Sequence, residues 1–158
     1  GNNFSDRYTR TRDNIGIMRA LWTQDEAAFE GVSQSLQPSW SWPKPARPIP
    51  LLVGGGSGPR LLQHLFEWGD GWMPLRSPKG SFTKDVEKVR RLAEEAGRDP
   101  SSISMTVMNA PKGIDELEEL AQLNIDRLVF TIWPQEPDAV LSELEGLTET
   151  ANSFLSRS

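Results

Sequence analysis

Leu51-Leu52-Val53-Gly54-Gly55-Gly56-Ser57-Gly58-Pro59 is a short apolar run that feeds into four glycines and a serine and ends where a helical pattern begins. The apolar run predicts a buried strand, and Pro59 suits the first turn of the helix that follows. Glycine has no Cβ, so a ligand oxygen can come close to its N–H. A helix start adds unpaired N–H donors and a partial positive charge. The stretch therefore reads as a seat for a phosphate or another anion, although the same composition also serves plain tight turns. It does not fit the G-x-G-x-x-G dinucleotide fingerprint with an acidic partner further on. Nor does it fit a Walker loop, since no Gly-Lys-Ser/Thr follows.

Working outward, apolar spacing alternates between two periods. Phe4, Tyr8, Thr11, Ile15, Met18 and Trp22 recur at three-four spacing and predict an amphipathic helix from about Asp6 to Trp22. Residues 23–48, rich in Pro, Ser and Trp, read as an irregular connecting segment with a small hairpin at Phe29–Val32. Ile49–Val53 reads as a strand, and Leu61, Leu62, Leu65 and Phe66 as a short helix. A strand follows around Gly71–Leu75, then a helix on Phe82, Val86, Val89, Ala93 and Ala96, stopped by Gly97. Ile103–Met108 is the next strand. The helix marked by Ile114, Leu117 and Ala121 closes at Asn124, a residue suited to a left-handed stop. Ile125–Ile132 is a fourth strand, and a last helix opens at Pro137 and carries Val140, Leu141, Leu144, Leu147, Ala151 and Phe154.

A helix followed by four strand–helix units implies an α/β fold with a parallel sheet and crossover helices. Two architectures fit: a doubly wound open sheet, or part of a (β/α)8 TIM barrel. A complete barrel takes eight such units and about 250 residues. Four units and an opening helix with no strand before it lead to the expectation of a single partial domain over residues 1–158, whose N-terminal half is absent.

Composition narrows the function classes. The chain has 158 residues, with 17 Lys+Arg against 22 Asp+Glu and a net charge of −5. No basic stripe points to nucleic acid, and no apolar run approaches the length of a membrane span. There is no cysteine, so disulfides, thiolate catalysis and zinc–sulfur sites are excluded. With His64 as the single histidine, no metal site is expected. The expectation is a soluble, cytoplasmic protein acting on a small molecule.

At this level the residues resemble a known family. Arg19-Ala20-Leu21-Trp22-Thr23, Phe29-Glu30-Gly31, Pro43-Lys44-Pro45 and Pro50-Leu51-Leu52-Val53-Gly54-Gly55 are its first marks. Gly69-Asp70-Gly71-Trp72-Met73-Pro74, Ala96-Gly97-Arg98-Asp99-Pro100 and Asp126-Arg127-Leu128-Val129-Phe130 complete the set. In this order the chain resembles the C-terminal half of the bacterial-luciferase-like oxidoreductases, which are (β/α)8 barrels, and most of all the branch that uses coenzyme F-420. Asp13 stands where the family would have Glu, and Asn124 where it has Gly. The resemblance implies hydride transfer with coenzyme F-420, or, as the alternative, FMN-dependent monooxygenation. It implies that Gly54, Gly55, Gly56 and Ser57, with Gly58 nearby, grip the cofactor's phosphate, Ser57 adding a hydroxyl donor. The family's catalytic residues belong largely to the other half and have no counterparts to name here.

In such a barrel the segments after a strand form the catalytic face and those before a strand the floor. Met73, Arg76, Asn109 and Trp133 follow their strands closely and are candidates to line the mouth, with Arg76 or Lys79 attracting an anionic substrate or the cofactor's acidic tail. Trp72 is a further candidate for the pocket lining, where it would stack on a flavin-like ring. Trp72 faces either the barrel interior or the helix layer. Asp70 sits at a strand entry, where a carboxylate commonly ties down a loop. His64 is mid-helix and reads as packing or surface. Trp40 and Trp42 precede a strand and read as cover for the barrel floor. Glu94-Glu95 and Glu116-Glu118-Glu119 are solvated helix faces. A competing reading from another class is a non-catalytic half-barrel. Its two bare strand edges and exposed apolar faces would drive self-association, including homo-oligomers.

Overall fold

The structure, a computed structural model, describes residues 4–76 and 82–156. Lys79 lies outside the described residues. Residues up to Ile49 form one compact unit and those from Pro50 onward another.

In the first unit, helix α1 (Arg7–Thr23) follows a short 3-10 turn at Phe4–Asp6. Strands β1 (Ala27–Glu30) and β2 (Ser35–Ser39) pair antiparallel, with Ala27 opposite Ser39 and Glu30 opposite Ser35. Gly31 N–H donates to the Gln34 carbonyl at 3.0 Å and closes the turn. The segment 23–48 is thus more ordered than its composition implies, and its hairpin turns at residues 31–34. The buried stripe of α1 also differs from the one expected. Asp13, Ile15 and Ala20 are buried, whereas Phe4 and Met18 are exposed.

The hairpin explains the shift. A Cβ on Gly16 would come within 2.3 Å of the Phe29 ring, so only glycine lets β1 lie this close to α1. One turn earlier, the Asp13 carboxylate accepts from the backbone N–H of Ser33 at 2.6 Å, the N–H of Gln34 at 3.0 Å and the Ser33 hydroxyl at 3.0 Å. A polar residue is buried here because its lone pairs are used. Lys44 Nζ donates to the Leu21 and Gln24 carbonyls at 2.9 and 2.5 Å, placing a cation where the carbonyls of the α1 C-terminus accumulate.

The second unit holds four strands joined by helices. These are β3 (Leu52–Gly54), α2 (Pro59–Trp68), β4 (Gly71–Met73), α3 (Phe82–Glu95), β5 (Ser104–Met108), α4 (Ile114–Ala121), β6 (Arg127–Val129) and α5 (Pro137–Leu155). The strands are parallel in the order β3-β4-β5-β6. Among the described residues the order follows the chain without reversal and shows no switch point of the kind a doubly wound sheet has. This is the progression of a (β/α)8 barrel, with half of its eight units. Every strand is shorter than its apolar run: β3 begins at Leu52 rather than Ile49, and β6 covers only three residues of Ile125–Ile132. Asn124 adopts φ 47° and Gly97 φ 75°, the left-handed stops their positions call for.

Register divides the sheet's two faces. Val53 pairs with Trp72, and Trp72 with Met105. These three pack with Leu62 and Leu65 of α2 and with Val86, Val89 and Ala93 of α3 into one buried cluster. Trp72, 1% exposed, is its largest member. Two carboxylates tie neighbouring strands at their entries by the same device. Asp70 accepts from Leu51 N–H at 2.8 Å while its own N–H donates to the Leu51 carbonyl. Asp126 does the same with Met105, accepting at 2.6 Å. Asp70 is therefore a strand tie, as its position suggests.

The Asp13 carboxyl is held below its ordinary value of 3.8, chiefly by the Ser33 N–H; burial opposes this, and the Ser33 hydroxyl and the Gln34 N–H add to it. A depressed carboxyl contributes stability that is complete above the unfolded value and is lost as pH falls through the folded one. Urea midpoints of the parent and Asp13→Asn should therefore be furthest apart near neutral pH and converge below about pH 4. A gap that stays constant down to pH 2 would contradict this role for Asp13.

Candidate functional site: the glycine loop after β3

β3 ends at Gly54, α2 begins at Pro59, and the four residues between them form the candidate site. The first turn of the loop is fastened to the core. Gly55 N–H donates to the Met73 carbonyl at 3.3 Å, extending the β3–β4 ladder by one residue. The Gly55 carbonyl accepts from the Trp72 indole N–H at 2.9 Å. Gly55 has φ 134°, a conformation that L side chains rarely adopt, and a Cβ there would come within 2.6 Å of Leu61. The chain bends at Gly55 in a conformation that suits glycine.

Beyond that point the backbone is open. A Cβ added to Gly56 or Gly58 would meet nothing within 4 Å. Among the described residues, no group accepts from the N–H of Gly56, Ser57 or Gly58. Gly58 is the N-cap of α2 and has no side chain to satisfy the helix's first donors; its carbonyl accepts from Leu62 N–H at 3.0 Å. Amides without an acceptor thus adjoin a helix N-terminus, the kind of backbone that can hold an anion.

Ser57 is fixed from the side. Its hydroxyl donates to Asp85 Oδ1 at 2.5 Å. Lys88 Nζ donates to the Ser57 carbonyl at 2.7 Å and lies 3.4 Å from Ser57 Oγ. Both partners sit on α3, one helical turn apart. Neither was read from the sequence as a site residue. The available signal was the Asp85/Lys88 spacing in the opening turns of the helix that follows β4.

The remaining candidates separate. Met73 shares a face with Gly54, its Cε 3.8 Å from where a Gly54 Cβ would stand. It borders the loop. Trp72 does not line a mouth: its ring is stacked on Phe82 at 6.1 Å between centroids, inside the helix-side core. Alternation puts Trp72 and Met73 on opposite faces, and pairing with Val53 and Met105 sets Trp72 on the helix side. The Arg76 guanidinium is engaged with Glu116 at 2.9 Å. Asn109 ends β5 with φ 56°. Trp133, 72% exposed, lies four residues past the end of β6. His64 accepts from the Trp68 indole at 3.2 Å within α2, in keeping with a packing histidine. Trp40 and Trp42 are exposed, and Lys44 Nζ stands 5.0 Å over the Trp42 ring. A groove of about 510 Å³ between α2 and α3 is lined by Leu62, Phe66 and Leu92 and by Lys88, but by none of the residues that the sequence singles out for the site. Among the described residues no helix is long and apolar enough to cross a membrane.

Comparison with known proteins bears on this arrangement. Residues 1–153 match the family model described as luciferase-like monooxygenase. An uncharacterised protein of Mycobacterium tuberculosis is 32% identical over 145 residues, covering 89% of this chain and 50% of that one. The F-420-dependent glucose-6-phosphate dehydrogenase of Gordonia bronchialis is 35% identical over 107 residues, covering 66% of this chain and 31% of that one. The chain thus spans half or less of the length of these relatives. Among solved structures, an F-420-dependent secondary alcohol dehydrogenase in complex with an F-420–acetone adduct aligns with a TM-score of 0.55 at 17% identity. That alignment covers 95% of this chain and 55% of the other, and it bears on fold alone.

The loop makes opposite demands on adjacent glycines. Gly55→Ala should lower unfolding stability by about 1–3 kcal/mol, because a left-handed position is strained by a side chain. Gly56→Ala should stay within about 0.5 kcal/mol of the parent, as a surface change with open space around it does. Equal denaturant midpoints for the two variants would contradict this description of the turn.

Proposed function

The chain belongs to the luciferase-like monooxygenase family, and on that footing we propose that it supplies the phosphate-holding part of an oxidoreductase that transfers hydride with coenzyme F-420. The observation that carries this reading is the open run of N–H donors at Gly56, Ser57 and Gly58 against the α2 N-terminus. The 35% identity to an enzyme named as F-420-dependent supports the choice of cofactor. Gly54 and Met73, on one face beside the loop, fit the role of its inner border. The substrate is a small molecule whose identity is set by the loops after the strands.

When bound, the deazaflavin supplies the carbon that carries hydride. The work of this chain is positional. The loop amides hold one end of the cofactor, so that its reactive end is presented in a fixed orientation rather than sampled by tumbling. Gly55, through its bonds to Met73 and Trp72, fixes where the loop departs from the sheet. Asn109 and Trp133 lie on the segments after β5 and β6 and border the same catalytic side.

The family description names monooxygenases, which favours FMN as the second reading; the same loop would hold its phosphate. Titration of the full-length polypeptide with each cofactor, read by fluorescence, separates the two. Saturable binding of the deazaflavin at least about tenfold tighter than FMN is expected. The reverse order would replace hydride transfer by flavin chemistry, and binding of neither would defeat the proposal.

A further inference from the structure

We propose that Asp85 and Lys88 of α3 are positioning residues for the anion loop, acting through Ser57 to fix the direction of the Gly56–Gly58 amides. This rests on the reading of that loop as a phosphate seat. Asp85 and Lys88 grip the same residue at two points. Ser57 Oγ donates to Asp85 at 2.5 Å, and its carbonyl accepts from Lys88 at 2.7 Å. Holding side chain and carbonyl together restrains rotation of the Ser57–Gly58 peptide unit, which carries the Gly58 N–H, and with it the Ser57 N–H just before it.

The geometry also changes the role the sequence suggests for Ser57. Its hydroxyl hydrogen is committed to Asp85, so it is not free to donate to a phosphate. Ser57 contributes its backbone N–H, and its side chain serves as the handle by which α3 holds the loop. The pair is charge-balanced: a carboxylate alone beside an anion seat would repel the ligand, and Lys88 one turn further on offsets it. A lysine that served only as an attractive charge would not need to bond the Ser57 carbonyl.

The sign of one substitution separates positioning from simple electrostatics. If charge alone mattered, Asp85→Ala would tighten phosphate binding by removing a repulsive carboxylate. If Asp85 positions the loop, the same variant binds more weakly. The experiment uses the full-length polypeptide with Asp85→Ala, Lys88→Met and Lys88→Arg. Affinity is measured for the deazaflavin cofactor and for its phosphate-free deazariboflavin core, and hydrogen exchange is followed at the Gly55 and Leu62 amides without ligand.

Asp85→Ala and Lys88→Met should each weaken the phosphate-bearing form roughly tenfold, the scale of one charge-assisted hydrogen bond. They should leave the phosphate-free core unchanged and speed exchange at Gly55 and Leu62. Lys88→Arg should restore most of the affinity. Tighter binding by Asp85→Ala, equal loss on both ligands, or unaltered exchange overturns the proposal. A parent protein that holds the two ligands equally well overturns the phosphate seat itself, whereas a parental preference kept intact by both variants overturns only the role of α3.

Discussion

The structure of the candidate site depends on a side-chain hydrogen bond from the buried core: the Trp72 indole N–H on the carbonyl of Gly55, 2.9 Å away. Trp72 is the largest side chain in the cluster between sheet and helices, and stacking on Phe82 leaves it little freedom to turn. An indole buried this deeply needs an acceptor. Here the acceptor is the carbonyl of the residue at which the chain leaves the sheet. The packing of α2 and α3 on β3 and β4 is therefore transmitted to the start of the loop without a flexible step.

From that anchor the loop divides into held and open parts. Gly55 is held on both polar groups, by Met73 and Trp72. Ser57 is held by α3. Gly56 and Gly58 are left with space where a side chain would stand. Alternation of this kind is what preorganised binding requires: donors already aimed, and few rotors to freeze when a ligand arrives. Ordering costs met during folding do not recur on binding.

Much of this architecture is legible in the residues. The four strand–helix units follow from period and punctuation, and left-handed stops occur at both Gly97 and Asn124 because each closes a helical apolar run. What the sequence hides is mostly long-range. The Phe29 ring on Gly16 and the Asp13 carboxylate under the 31–34 turn make a polar position of α1 a buried one, which no helical periodicity reveals. Trp72 illustrates a different limit. In a three-residue strand, alternation alone leaves open which of two faces meets the helices, and only the register with Val53 and Met105 decides it. Asp85 and Lys88 look like an ordinary solvated pair at helical spacing until Ser57 is placed between them.

The family relation puts these features in proportion, since the chain covers half the length of its mycobacterial relative and the four units it carries include the glycine loop. The most direct test of the account is a 15N–1H correlation spectrum of the full-length polypeptide, recorded as the deazaflavin cofactor is added. The amide signals of Gly56, Ser57 and Gly58 should move together and saturate with the ligand, while that of Gly55, already bonded to Met73, stays close to its starting position. Saturation of the protein with those three signals unmoved would contradict the central claim.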